Sequence, residues 1–132
     1  MNKPTKGGLN MDDYRLFDAE YRLMDLVWER QPINSTALSR LCQEKLGWKK
    51  PTTYNLLRKL GERGILKNEN ATVTALVGRE QVLRRESEAA VEKSFGGSLP
   101  GFVAAFLSGK TLSHQEAEEL RRLIDESEAR HG

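Results

Sequence analysis

Cysteine is nearly absent. Cys42 is the single thiol in 132 residues, which excludes an intrachain disulfide. Only two histidines, His114 and His131, are present, so no Cys/His spacing assembles a metal site. Paired carboxylates, a nucleophile with a histidine base and a phosphate-cradling loop are missing too, and Gly96-Gly97 lacks the preceding strand that such a loop needs. An enzyme is therefore not expected, nor is a cofactor. No apolar run approaches the roughly 18 residues that cross a bilayer, and the first ten residues lack the apolar stretch of a secretory signal, so a cytoplasmic location is expected.

What remains is a chain with 38% hydrophobic and 30% charged residues and a mean hydropathy of −0.61, enough for one modest core and much solvated surface. The net charge of +2 becomes informative once divided along the chain. Residues 1–76 hold 13 basic and 9 acidic side chains, whereas residues 77–132 hold 8 and 10. Within 45–67 the excess sharpens: Lys45, Lys49, Lys50, Arg58, Lys59, Arg63 and Lys67 are set against Glu62 alone. Such a cluster suits a polyanion, or else is the solvated face of a basic helix.

Residues 1–10 have no periodicity and read as a flexible tail. A first helix is expected over 18–30, capped by Asp18, with Phe17, Tyr21, Met24, Val27 and Trp28 on one inner face. Pro32 ends it, and Asn34 or Ser35 caps a second helix whose inner face carries Leu38, Leu41, Cys42 and Leu46 and which Gly47 closes. That placement makes Cys42 an inert core residue. Pro51 opens a third helix in the first turn, where a missing N–H costs nothing. Its buried stripe is Thr53, Leu56, Leu57 and Leu60, which turns Pro51, Asn55, Arg58 and Glu62 outward, flanked by Thr52, Tyr54 and Lys59. Gly64 fits a left-handed position, Ile65-Leu66 begins a strand, Lys67 to Asn70 form a polar tip, and Thr72-Val73-Thr74 return.

Three short helices and a hairpin make a winged helix-turn-helix over 11–76. The third helix of that shape enters a major groove. By hydrogen-bond pattern Thr52, Asn55 and Arg58 are the candidates for base edges, with Asn55 suited to adenine and Arg58 to guanine. Lys49, Lys50, Lys59 and Lys67 are candidates for phosphates, and Tyr54 for a phosphate or a thymine methyl.

Residues 77–132 read as a helical dimerisation domain. A polar helix over 79–95 is broken by Gly96-Gly97, and a short helix follows at about 98–108. Leu99, Phe102, Val103, Phe106 and Leu107 form its apolar face; Ser113 with Glu116 is a capping box that opens a last helix with Ala117, Leu120, Leu123 and Ile124 inward. Three helices this short cannot cover that much apolar surface, so a second copy is expected to bury Leu99, Phe102, Val103, Phe106, Leu107, Leu120, Leu123 and Ile124. The fold class is thus mostly α: an N-terminal winged helix-turn-helix with a small β-hairpin wing, plus a three-helix C-terminal dimerisation domain. The competing reading is a winged-helix protein-interaction module with no DNA partner.

Several segments together resemble the penicillinase-repressor (BlaI/MecI type) family of winged-helix transcriptional regulators, across about 18–128. The opening helix ends in Asp25-Leu26-Val27-Trp28, and Trp48 precedes a threonine-containing reading helix that ends at Leu60. An arginine-rich helix, with Arg79-Glu80 and Leu83-Arg84-Arg85-Glu86, closes in Phe95-Gly96-Gly97-Ser98, and Leu112-Ser113 through Leu120 complete the match. The resemblance implies a homodimeric repressor of antibiotic-resistance genes that binds inverted repeats containing TACA/TGTA half-sites. It also implies a membrane-bound zinc metalloprotease that senses β-lactams and triggers cleavage at the position of Ala105-Phe106, where relatives have Asn-Phe. Read from the residues alone, Phe106 is a dimer-core anchor, and a ligand-sensing repressor without proteolysis is the nearest alternative. Pro51 and Asn55 stand where relatives often carry threonine, the wing lacks aromatic residues near Val73 and Ala75, which makes its strand pairing weaker, and the cysteine-rich tail of copper-responsive relatives is absent.

Overall fold

A computed structural model describes residues 15–131; the expected tail over 1–10 lies outside the described residues. The elements run α1 (Asp18–Arg30), β1 (Ile33–Asn34), α2 (Ser35–Leu46), α3 (Lys50–Glu62), β2 (Leu66–Glu69), β3 (Thr72–Ala75), α4 (Arg79–Phe95), α5 (Leu99–Leu107) and α6 (His114–His131). This is a mostly helical winged helix-turn-helix followed by three helices.

The N-cap of α1 lies one residue before the expected Asp18. Phe17 holds the N-cap position, and its N–H donates to Glu20 Oε1 at 2.9 Å. Phe17 is also not part of the inner face, being 64% exposed; Leu23 and Leu26 take that role beside Met24 and Val27. α2 is capped by Asn34, whose Oδ1 accepts from the N–H groups of Thr36 and Ala37, and it closes at Gly47 with φ +69°. α3 begins Lys50-Pro51 and buries Thr53, Leu57 and Leu60 against α1 and α2, with Leu56 half-buried.

The sheet has the order β1-β3-β2, all antiparallel. Leu66 to Glu69 pair with Ala75 to Thr72, so Lys67, Asn68 and Glu69 are strand rather than tip. The turn is the two-residue Asn70-Ala71, both with positive φ. The short β1 pairs Ile33 with Val73 and makes the wing three-stranded. Two further bonds tie the wing to the body: Ser35 N–H donates to Ala71 O, and Ala75 N–H to Gln31 Oε1, both at 2.8 Å.

The core gathers Leu16, α1, Leu38 and Cys42 of α2, Leu57 and Leu60 of α3, Ile65, Leu66 and Val73 of the wing, and then Val77 and Val82. The N-terminal half of α4 is thus packed with the winged helix. No residue of α5 is buried, and none of the described side chains of α6 is.

Candidate nucleic-acid interface

The leucines of α3 hold the helix by one side, and this decides what its other side presents. Pro51, Thr52, Asn55, Arg58, Lys59 and Glu62 are all exposed, as are Lys49, Lys50 and Lys67. The structure brings Lys50, Thr52, Asn55, Arg58 and Lys59 onto α3, with Lys49 at its N-cap and Lys67 on β2 of the adjacent wing. Lys45, Lys49, Lys50 and Lys59 have no carboxylate within ion-pairing distance among the described residues.

Local electrostatics at the start of α3 runs against helix stability. Two lysines sit at the N-terminal end, where backbone N–H groups already concentrate positive charge, and no acidic residue lies in the first turn. Cations there cost about 0.3–1 kcal/mol each relative to acidic residues. An anion placed against this end reverses the sign of that contribution, so the arrangement suits a phosphate.

The basic cluster is smaller than its sequence count. Arg63 turns inward, where its guanidinium reaches both oxygens of the buried Glu20 carboxylate at 3.2 and 3.3 Å and also the carbonyl of Arg15. It is partly buried and spent on Glu20. Arg58 lies 3.5 Å from Glu62 one turn on, and Lys67 3.5 Å from Glu69, both exposed pairs. Exposed pairs of this kind are worth well under about 1 kcal/mol and open readily to a competing anion.

Tyr54 is placed differently from its expected outward position. It is half-buried, and side-chain hydrogen bonds with Thr36 and Ser35 at the start of α2 pull its phenol below the usual range, opposed by burial and assisted by the Lys50 charge. Lys50 Nζ lies 5.9 Å from the centre of its ring. Tyr54 thus links α2 to α3 and orients Lys50.

Beyond the winged helix, the eight apolar residues expected at a dimer interface lie on the helices that have no buried positions. Leu99, Val103, Phe106, Leu120, Leu123 and Ile124 are exposed, while Phe102 and Leu107 are half-buried, Phe102 by an edge contact with Phe95 at 5.5 Å. Ala105 is exposed beside Phe106, whose ring carries Lys110 Nζ at 3.9 Å. Among the described residues no helix is long and apolar enough to cross a membrane, and no group of His, Cys, Asp and Glu is arranged to hold a metal ion.

Sequence reasoning missed Gln31 and Glu20, and also the bond that Trp28, expected on the inner face of α1, makes from its Nε1–H to Val77 O at 2.9 Å; all three ties act across long stretches of chain and have no local signature.

The helical winged fold agrees with the family that comparison with known proteins finds. The sequence pattern of the penicillinase repressor family matches residues 16–126. The penicillinase repressor of Bacillus licheniformis is 22% identical over 120 residues, covering 88% of this chain and 94% of that protein. The methicillin resistance regulatory protein MecI of Staphylococcus aureus strain N315 is 23% identical over 116 residues, covering 85% and 94%. An uncharacterized 16.5 kDa protein of Latilactobacillus sakei is 27% identical over 110 residues, covering 80% and 75%. By a match that spans both the winged helix and the helices after it, the chain belongs to the penicillinase repressor family.

Proposed function

We propose that the chain is a homodimeric transcriptional repressor of the β-lactam-resistance type, which occupies inverted-repeat operator DNA. The observation that carries this reading is the exposed polar side of α3, with Asn55 at its centre, Arg58 held only by an exposed pair with Glu62, and Lys49, Lys50 and Lys59 without carboxylate partners among the described residues. Asn55 and Arg58, with Thr52, read base edges; Lys49, Lys50, Lys59 and Lys67 hold phosphates; Tyr54 sets Lys50 and α3 against α2. Family membership and the names of two relatives, a penicillinase repressor and a methicillin resistance regulator, support the regulatory role and speak against an enzyme.

Dimerisation follows from surface energetics. Leu99, Phe102, Val103, Phe106, Leu107, Leu120, Leu123 and Ile124 lie on helices with no core of their own, and burying one such side chain is worth about 1.5–3 kcal/mol. A second copy carrying the same surface is the natural cover, and it sets two reading helices about one DNA turn apart. The domains proposed are a winged-helix DNA-binding unit over 11–76 and a helical dimerisation unit over 77–132.

Induction by a sensor metalloprotease pathway, with cleavage at Ala105-Phe106, is the finer part of the proposal. It is supported by the position of that bond on a nine-residue helix whose exposed side chains include both residues. Intact-mass analysis of the chain in its native host after β-lactam exposure tests it: two fragments meeting at that bond are expected, and an intact chain under full induction contradicts cleavage.

DNA binding itself is tested by salt titration of the wild-type chain against a duplex selected from a random library and against a scrambled duplex. Affinity should fall steeply with log salt on both, through counterion release, with a clear margin for the selected duplex. Weak, salt-indifferent binding to both overturns the reading and leaves a protein-interaction module.

A further inference from the structure

The first helix of the proposed dimerisation unit, α4, is rooted in the winged-helix core through Val82, and one residue fixes the direction in which that helix leaves. α4 is a 17-residue helix, about 25 Å long, that runs unbroken from the winged-helix core to the apolar face of α5. Val82 is fully buried in the core and gives one point of attachment. One helical turn further, the Glu86 carboxylate accepts from the Tyr21 hydroxyl at 2.6 Å and from the Leu16 N–H at 3.3 Å, each oxygen holding one partner. The Tyr21 ring is itself set edge-on to Trp28 at 6.3 Å. Arg79 adds a further tie, to Asp25 at 3.1 Å and over the Trp28 ring at 5.3 Å, but that ion pair is half exposed and contributes little to direction.

A helix held at one buried valine can swing; held again one turn on, it cannot. The lever makes this matter. A swing of about 15° at Val82 moves Phe95, thirteen residues and about 20 Å along, by about 5 Å, which exceeds the 3.4 Å rise of one base pair. Phe95 in turn meets Phe102 of α5, so the swing reaches the surface that covers the second copy.

We infer that Tyr21 and Glu86 are positioning residues for operator recognition: by locking α4 onto the winged helix they fix the distance between the two reading helices, and hence the half-site spacing that the dimer accepts. This rests on the repressor reading above. Neither residue touches DNA in it, and α3 keeps its own fit to a single half-site without them.

The test uses the full chain as wild type, Tyr21→Phe, Glu86→Ala and Glu86→Gln. The probes are a library-selected duplex, the same duplex with its spacer altered by one and two base pairs, and a duplex with one half-site. Wild type should lose at least about tenfold on the altered spacers, because both heads no longer engage together. Tyr21→Phe and Glu86→Ala should keep half-site affinity within about twofold and flatten the spacer preference to within about threefold, and Glu86→Gln, which retains an acceptor for the phenol, should recover part of it. Variants as selective as wild type overturn the inference.

A readout without DNA separates this failure from that of the repressor reading. Spin labels at Arg22→Cys and Lys93→Cys, diluted with unlabelled chain, should give one narrow distance distribution that broadens with Tyr21→Phe or Glu86→Ala. An unchanged distribution removes the lock whatever the DNA data show. A wild type that binds no duplex, with the distribution still broadening, removes the operator role and leaves the lock as a property of the fold.

Discussion

Burial pushes the Cys42 thiol above its usual value of 9.0, with the Thr53 hydroxyl beside it acting the other way. The consequence for stability has a definite sign. In the unfolded chain the thiol ionises at its ordinary value, whereas the folded chain keeps the proton, so the stabilising difference is complete below that value and is lost as pH rises through it. Urea unfolding from about pH 8 to pH 10 should show the wild type losing stability faster than Cys42→Ala, by up to about 1.4 kcal/mol per pH unit once the unfolded thiol ionises. Parallel pH curves would mean the thiol is not held in this way. Tyr21, whose phenol is raised by burial and by the Glu86 hydrogen bond, adds a loss of the same sign only at higher pH. At this scale the sequence was half legible. Asn55 and Arg58 could be placed outside because they share a helix with their neighbours, but Arg63 was counted in the basic cluster although its partner, Glu20, is 43 residues away. Charge along a chain reports composition; only the fold says which charges cancel.

At the scale of single elements, turn chemistry explains both what could be read and what could not. Gly47 and Gly64 take positive φ where a helix ends, and each marked its boundary in advance. The wing turn carried no such mark. Asn70 and Ala71 have φ of +52° and +60°, a mirror-image hairpin turn usually signalled by glycine, and alanine at the second position hid it. An L residue there carries strain of about 1–2 kcal/mol, part of which glycine returns as entropy on folding. Ala71→Gly should therefore raise stability by roughly 0.5–1 kcal/mol, measured by thermal unfolding. A fall in the midpoint would show that the turn is not strained. β1 was missed for a different reason. Two residues have no periodicity, and Ile33-Asn34 becomes a strand only because β3 lies beside it.

For the whole molecule, helical spacing located α5 and α6 closely, because apolar residues recur on one side of each, and Gly96-Gly97 marked the end of the polar α4. What spacing did not show is that Val77 and Val82 join the winged-helix core, since a buried valine reads the same whichever neighbour covers it. The same logic makes the outer helices informative. Leu99, Phe106, Leu120, Leu123 and Ile124 are exposed in the single chain, the surface that the proposed second copy covers. Sedimentation equilibrium should give twice the chain mass for wild type and a single chain mass for Leu99→Asp with Ile124→Asp, while the core of the winged helix stays folded by circular dichroism. A monomeric wild type would contradict this. Whether the leucine-anchored α3 presents Asn55 and Arg58 to base edges is decided by titrating Asn55→Ala, Arg58→Ala and Lys50→Ala against selected and scrambled duplexes at one salt concentration. The first two should lose about 1–3 kcal/mol on the selected duplex alone, and Lys50→Ala should weaken both alike; equal losses on the two duplexes for Asn55→Ala and Arg58→Ala would refute base reading by α3.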